Sequence, residues 1–97
     1  MLDPLVTLLK EIRQSHKVSQ RNLEACMDLP EDTYRHIETG RRRLPDYRNN
    51  LVEWVQNFAN CVHANADERR RILDLVSREV IEQFSRVLDD PKRPKTN

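Results

Sequence analysis

Apolar residues recur at helical spacing along most of the chain. Leu5, Leu8, Leu9 and Ile12 line one face of a first helix. Asp3 can cap it, Pro4 suits its first turn, and it is expected to end between Ser15 and Lys17. Val18-Ser19-Gln20 opens a second helix with Ser19 as its cap, and Leu23, Cys26 and Met27 form its inward side. Asp28-Leu29-Pro30 interrupts the period, because a residue before proline is pushed out of helical geometry. A third helix is expected from Pro30 or Glu31 to Thr39, with Tyr34 and Ile37 facing inward. Asp28 and Glu31 also fit a capping box, and the two readings differ by two residues in where that helix starts. Gly40, the one glycine in the chain, stands where a left-handed residue would stop it.

The second half continues the pattern. Asp46 is expected to cap a fourth helix that carries Leu51, Val55, Phe58 and Val62 on one face, widened by Trp54 and Cys61. Asn65-Ala66-Asp67 punctuates the chain, and a long helix should run from Glu68 to about Leu88. Leu73, Val76, Val80, Phe84 and Val87 form its stripe, flanked by Ile72, Ile81 and Leu88. That band is wider than a small core needs to cover. The expected organisation is a first unit over 1–64, a long helix over 65–90, and a basic, proline-containing disordered tail over 91–97.

Composition narrows this to an all-α fold of five helices. Ninety-seven residues allow one modest domain, and a single glycine leaves little material for the turns that hairpins require. Charged residues make up 34% of the chain, yet the net charge is only +1, so any nucleic-acid contact must come from local patches. Cys26 and Cys61 are far apart in sequence and outside any CxxC spacing. They read as reduced apolar fillers, which fits a cytoplasmic protein. The N-terminus, interrupted by Lys10 and Glu11, fits neither a signal peptide nor a membrane span. His16, His36 and His63 share no metal-ligand spacing, so neither a metal nor another cofactor is expected. No nucleophile–base pair or phosphate-cradling loop is visible, and an enzyme is not expected.

The stretch from Ser19 to Pro45, SQRNLEACMDLPEDTYRHIETGRRRLP, carries a more specific signal. Ser19-Gln20, Leu23, Met27, Leu29, Thr33-Tyr34, Ile37-Glu38 and Gly40 match the spacing of the Cro/lambda-repressor-like, or Xre, helix-turn-helix family, with the motif at 19–40. The following Arg41-Arg42-Arg43-Leu44-Pro45 also resembles that family, and the likeness spans about residues 5–62. It departs at Glu24, where the family has a small alanine, at Asp28 for the turn glycine, and at Pro30 for a serine or threonine cap. The resemblance implies a lambda-repressor-like domain whose second helix braces a third helix in the major groove. It implies base contacts from Glu31, Asp32, Arg35 and His36, and phosphate contacts from Ser19, Gln20, Arg21, Thr33, Arg41, Arg42 and Arg43. Glu38 reads as structural.

The implied function is a sequence-specific transcriptional regulator, a dimeric repressor on a palindromic double-stranded DNA operator. Such a dimer meets half-sites about 34–36 Å apart. Trp54, Phe58, Leu73, Val76, Val80, Phe84 and Val87 are the interface candidates. The alternative is a non-enzymatic protein-interaction module on the same scaffold (an antitoxin, antirepressor or adaptor) that turns the acidic pair Glu31 and Asp32 toward a protein partner.

Overall fold

The computed structural model describes residues 3–46 and 50–88, with side chains described to Ser85 in the last helix. The described residues are all-helical, with no strand among them. Five helices follow in order: α1 (Pro4–Ser15), α2 (Gln20–Cys26), α3 (Thr33–Glu38), α4 (Leu51–Val62) and α5 (Ala66–Leu88). The basic tail 91–97 and the side chain of Val87 lie outside the described part.

Capping explains most of the boundaries. The Asp3 carboxylate accepts from the Leu5 amide at 2.8 Å, and the Ser19 hydroxyl accepts from the Asn22 amide at 3.0 Å. Asn65 and Glu68 form a reciprocal capping box, each side chain accepting from the other's amide at 2.8 and 2.9 Å. This starts α5 at Ala66, two residues before the expected Glu68. The fourth helix also differs from expectation. It begins at Leu51, with Asn50 in left-handed geometry before it, so Asp46 is not its N-cap. The Asp46 carbonyl instead accepts from the Leu51 amide at 3.2 Å.

Helices α1 to α4 each end in the same way. A left-handed residue stands just past the helix, and the next amide turns back to a carbonyl five residues earlier: Val18 to Arg13, Leu29 to Glu24, Arg41 to His36 and Ala64 to Ala59. The left-handed residues are Lys17, Asp28, Gly40 and His63. Only one of the four is glycine, so three of these stops carry no obvious signal in the sequence.

One apolar cluster joins all five helices. Leu5, Leu9, Leu23, Tyr34, Leu51, Val55, Phe58, Val62 and Ile72 have almost no exposed surface. Burying a side chain of that size contributes roughly 1.5–3 kcal/mol, so the cluster is the main source of stability. Tyr34, Trp54 and Phe58 stack with ring centroids 6.0–6.4 Å apart. α1 packs against α3 and α5, while α4 packs against α2 and α5. The division expected at 64/65 falls at the start of α5, whose Ile72 and Val76 enter the same cluster. Its inward stripe is therefore Ile72 and Val76, with Leu75 and Val80 partly covered, and Leu73 and Phe84 point to solvent.

The cysteines correct another expectation. Cys26 is exposed at the end of α2 and forms a disulfide with half-buried Cys61 on α4, across a Cα–Cα distance of 5.9 Å. Thirty-five residues separate them in sequence, but the packing of α2 on α4 brings them within bonding range. The argument from free thiols to a reducing compartment therefore falls away. No helix among the described residues is long and apolar enough to cross a membrane.

Candidate functional site

The third helix has six residues, too few to be stable alone, and side chains from its neighbours hold it at both ends. At its start, Glu31 and Asp32 lie in a turn closed by the Thr33 amide on the Pro30 carbonyl, and Asp32 is left-handed, with no capping bond from its own side chain. The cap comes from α2. Buried Glu24 accepts from the Tyr34 amide at 2.7 Å and from the Asp32 amide at 3.2 Å. A carboxylate facing these orphan amides also suits the helix dipole. The residue that departs from the family's small alanine thus supplies the cap missing at Pro30.

At its other end, Glu38 is buried and bidentate to Arg13 of α1, at 2.7 and 3.1 Å. Gln20, the first residue of α2, donates to the same carboxylate, and Arg13 also donates to the Val18 carbonyl at 2.8 Å. Burial works against the Glu38 charge, but hydrogen bonds from Arg13 and Gln20 and the Arg13 charge outweigh it. They hold the carboxyl below its ordinary 4.5. Burial likewise opposes the charge on Arg13, and Glu38 more than offsets it. Beside them the Tyr34 hydroxyl is buried without a well-formed hydrogen bond, and burial followed by the Glu38 charge pushes its pKa far up. The network ties α1, α2 and α3 together through groups that are costly to leave unpaired.

This scaffold sorts the surface residues. Arg35 is exposed and meets Asp32 at 3.5 Å, and His36 is half-buried. Glu31 and Asp32 precede α3 rather than riding on its outer face, because the left-handed Asp32 delays the helix to Thr33. Thr33 is buried and unavailable to a phosphate. Gln20 is engaged with Glu38, which brings the start of α2 against the end of α3. The chain then folds back: the Arg41 and Arg42 amides donate to the His36 carbonyl at 2.9 and 3.1 Å. Exposed Ser19 and the exposed run Arg41–Arg43 consequently gather at the same end of α3. Among the described residues no carboxylate pairs with these three arginines. Arg21 is also exposed, on α2.

The interface candidates divide. Phe58 and Val76 are buried in the chain's own core, and Trp54 and Val80 are half-buried against it. Leu73 and Phe84 remain exposed, together with Ile81, which flanks the stripe. No group of three or more His, Cys, Asp and Glu among the described residues is placed to hold a metal ion.

Sequence patterns did not reveal the roles of Arg13 and Glu24. Both are charged residues on otherwise amphipathic helices, and only the fold shows that they face inward. Nothing in the sequence marks Glu24 as that cap, since ten residues separate it from the Tyr34 amide it accepts from. Comparison with known protein families, with functionally described proteins and with solved structures finds no match.

Proposed function

We propose that the chain is a sequence-specific DNA-binding transcriptional regulator of the Cro/lambda-repressor-like, helix-turn-helix kind, acting as a dimeric repressor. The observation that carries this reading is the exposed run Arg41–Arg43, which pairs with no carboxylate among the described residues and folds back onto the His36 carbonyl of α3 beside the start of α2. Three exposed arginines at the end of a short, rigidly held helix suit a line of phosphates. In this reading α2 braces α3, and α3 enters the major groove. Arg41, Arg42, Arg43, Arg21 and Ser19 contact the backbone. Gln20 keeps a second N–H after donating to Glu38, and that hydrogen can still serve a phosphate oxygen.

Base reading then rests on Arg35 and His36. Arg35 must leave Asp32, an exposed pair worth only about 0–1 kcal/mol. A bidentate contact with guanine is worth about 1–3 kcal/mol of discrimination, so the exchange is favourable at the right base. Glu31 and Asp32, just ahead of the helix, sit where a cytosine amino group could be met and where phosphates are repelled. A six-residue helix is about 9 Å long and covers few base pairs. Recognition of an operator therefore calls for two copies on a palindrome, and bound copies would repress by occupying the promoter. A regulator must share a compartment with DNA, which we take to be the cytoplasm.

Salt dependence tests this. The logarithm of affinity for duplex DNA should fall with the logarithm of salt concentration at about −0.9 per phosphate contacted. Substituting Arg42 and Arg43 with glutamine should flatten that slope by roughly two contacts. The Asp32–Arg35 pair favours one other reading, a protein-interaction module whose surface at α3 is already charge-balanced. DNA binding that is absent at all salt concentrations would select it.

A further inference from the structure

The Cys26–Cys61 bond connects solvent to the cap of α3 by a short route. Cys26 is the last residue of α2 and is exposed, whereas Cys61 is half-buried on α4. The chain has two cysteines, so this is the one disulfide it can form within itself. Two residues before Cys26, on the same helix, stands Glu24, whose carboxylate caps α3 through the Tyr34 and Asp32 amides. A seven-residue helix is not stable alone, so α2 depends on its attachments. At its start these are the Ser19 cap and the Gln20–Glu38 contact, and on its inward side Leu23 and Met27 are buried. At its end the attachment is the covalent link to α4.

That link acts on one part of the molecule more than on the rest. α1 and α4 both pack against α5 and share its core, so they keep those contacts when residues 19–40 open. With the disulfide closed, an opened α2–α3 segment is still pinned to α4 at Cys26. Cutting the bond releases a loop of 35-residue separation, on the order of several hundredfold in the opening equilibrium on a chain-entropy basis. Exposed disulfides are also the labile ones. In a reducing cytoplasm, the compartment taken for the regulator, a disulfide serves redox sensing more often than permanent stapling.

We propose that Cys26–Cys61 is a thiol–disulfide exchange site, and that its reduction by a dithiol releases α2 from α4 and uncaps α3. A thiolate of the dithiol attacks the exposed Cys26 sulfur and forms a mixed disulfide there, while Cys61 leaves as a thiolate and takes a proton. The second thiol of the reagent, once deprotonated, attacks the reagent's own sulfur in that mixed disulfide. This closes the reagent's disulfide and frees Cys26, which is protonated in turn. The net transfer is two electrons and two protons from dithiol to chain. The Glu24 cap then loosens, and with it the helix that carries Arg35 and leads into Arg41–Arg43. Only the consequence for DNA rests on the regulator reading: the oxidised chain binds the duplex and the reduced chain releases it.

Amide exchange without DNA tests the coupling, on the oxidised chain and on the chain held in dithiothreitol. Reduction should speed exchange at Tyr34 and His36 at least about a hundredfold, and at Leu9 and Phe58 about tenfold less than that. The Cys26→Ser, Cys61→Ser double variant should match the reduced chain with or without dithiothreitol. Equal acceleration in all helices, the mark of a global staple, would overturn the proposal, as would unchanged exchange in α3. Brief exposure to glutathione and an acid quench should leave the adduct on Cys26, and an adduct confined to Cys61 would overturn the assigned point of attack. Affinity for duplex DNA should fall at least about tenfold on reduction, as the competent fraction falls, and return on reoxidation. Equal salt-sensitive binding in both states would overturn the switch. Redox-dependent exchange in α3 with no salt-sensitive DNA binding in either state would support the switch and remove the regulator reading instead.

Discussion

Replacing Glu24 with alanine, the residue the resembled family carries at that position, should destabilise this chain. In the structure the Glu24 carboxylate is the only side-chain cap of α3 among the described residues, reaching the Tyr34 amide at 2.7 Å and the Asp32 amide at 3.2 Å. The first contact is buried, short and charge-assisted, and removing it leaves a buried donor unpaired, at about 1.5–3 kcal/mol. The second is longer and partly exposed, at about 0.5–1.5 kcal/mol. Together they give about 2–4.5 kcal/mol, a large share of the roughly 5–15 kcal/mol that such a domain has in total. Urea unfolding followed by circular dichroism should show a lower midpoint with an unchanged slope. The thermal midpoint should fall by roughly 10 °C or more, at about 4–8 °C per kcal/mol for a domain of this size. Glu24→Gln keeps one acceptor for Tyr34 and should lose only about half as much. Amide exchange should accelerate over 33–38 before it does in α1. If Glu24→Ala lies within about 0.5 kcal/mol of the wild type, as a neutral surface change would, the carboxylate does not cap α3 and the account of how that helix is held is wrong.

Other outcomes follow from the same geometry. Glu38→Ala strands the buried Arg13 guanidinium and should cost about 3–5 kcal/mol by urea titration; a loss under 1 kcal/mol would mean that the pair is solvated. Because the folded-state carboxyl of Glu38 lies below 4.5, its stabilisation is complete above that value and fades as pH falls through the lower folded pKa. Stability should therefore drop in acid, and less steeply in Glu38→Ala. Opening the Cys26–Cys61 disulfide, which closes a 35-residue separation, should remove about 4 kcal/mol on a chain-entropy basis, and thermal melts with and without dithiothreitol measure it. Lys17→Gly and His63→Gly relieve left-handed side chains at helix ends and should each stabilise by up to about 1 kcal/mol, whereas destabilisation would show that those side chains contribute elsewhere.

Much of the fold was legible in the order of residues, and the reason is local. Asp3-Pro4, Ser19, the Leu29-Pro30 break and Gly40 act through backbone geometry within a turn of themselves, and each stands at the boundary its chemistry suggests. Inward faces were legible wherever one helix has one side to bury, as in α1 and α4. Two kinds of feature were not. Left-handed stops at Lys17, Asp28 and His63 depend on tertiary packing to hold residues that pay a steric penalty there. Contacts across the chain, namely Glu24 to α3, Arg13 to Glu38 and Cys26 to Cys61, join residues whose separation in sequence carries no information about their meeting. The candidate site shows both limits. The exposed arginines could be named from sequence, whereas the late start of α3, which moves Glu31 and Asp32 off its outer face and buries Thr33, follows from a cap supplied by another helix.

The central claim is that this scaffold reads DNA, and selection from random double-stranded oligonucleotides with the purified, disulfide-bonded chain tests it most directly. The account predicts enrichment of a palindrome with half-sites one helical turn apart, about 34–36 Å between centres, and loss of enrichment as salt is raised. No enriched sequence, with no salt-sensitive binding to any duplex, would contradict it.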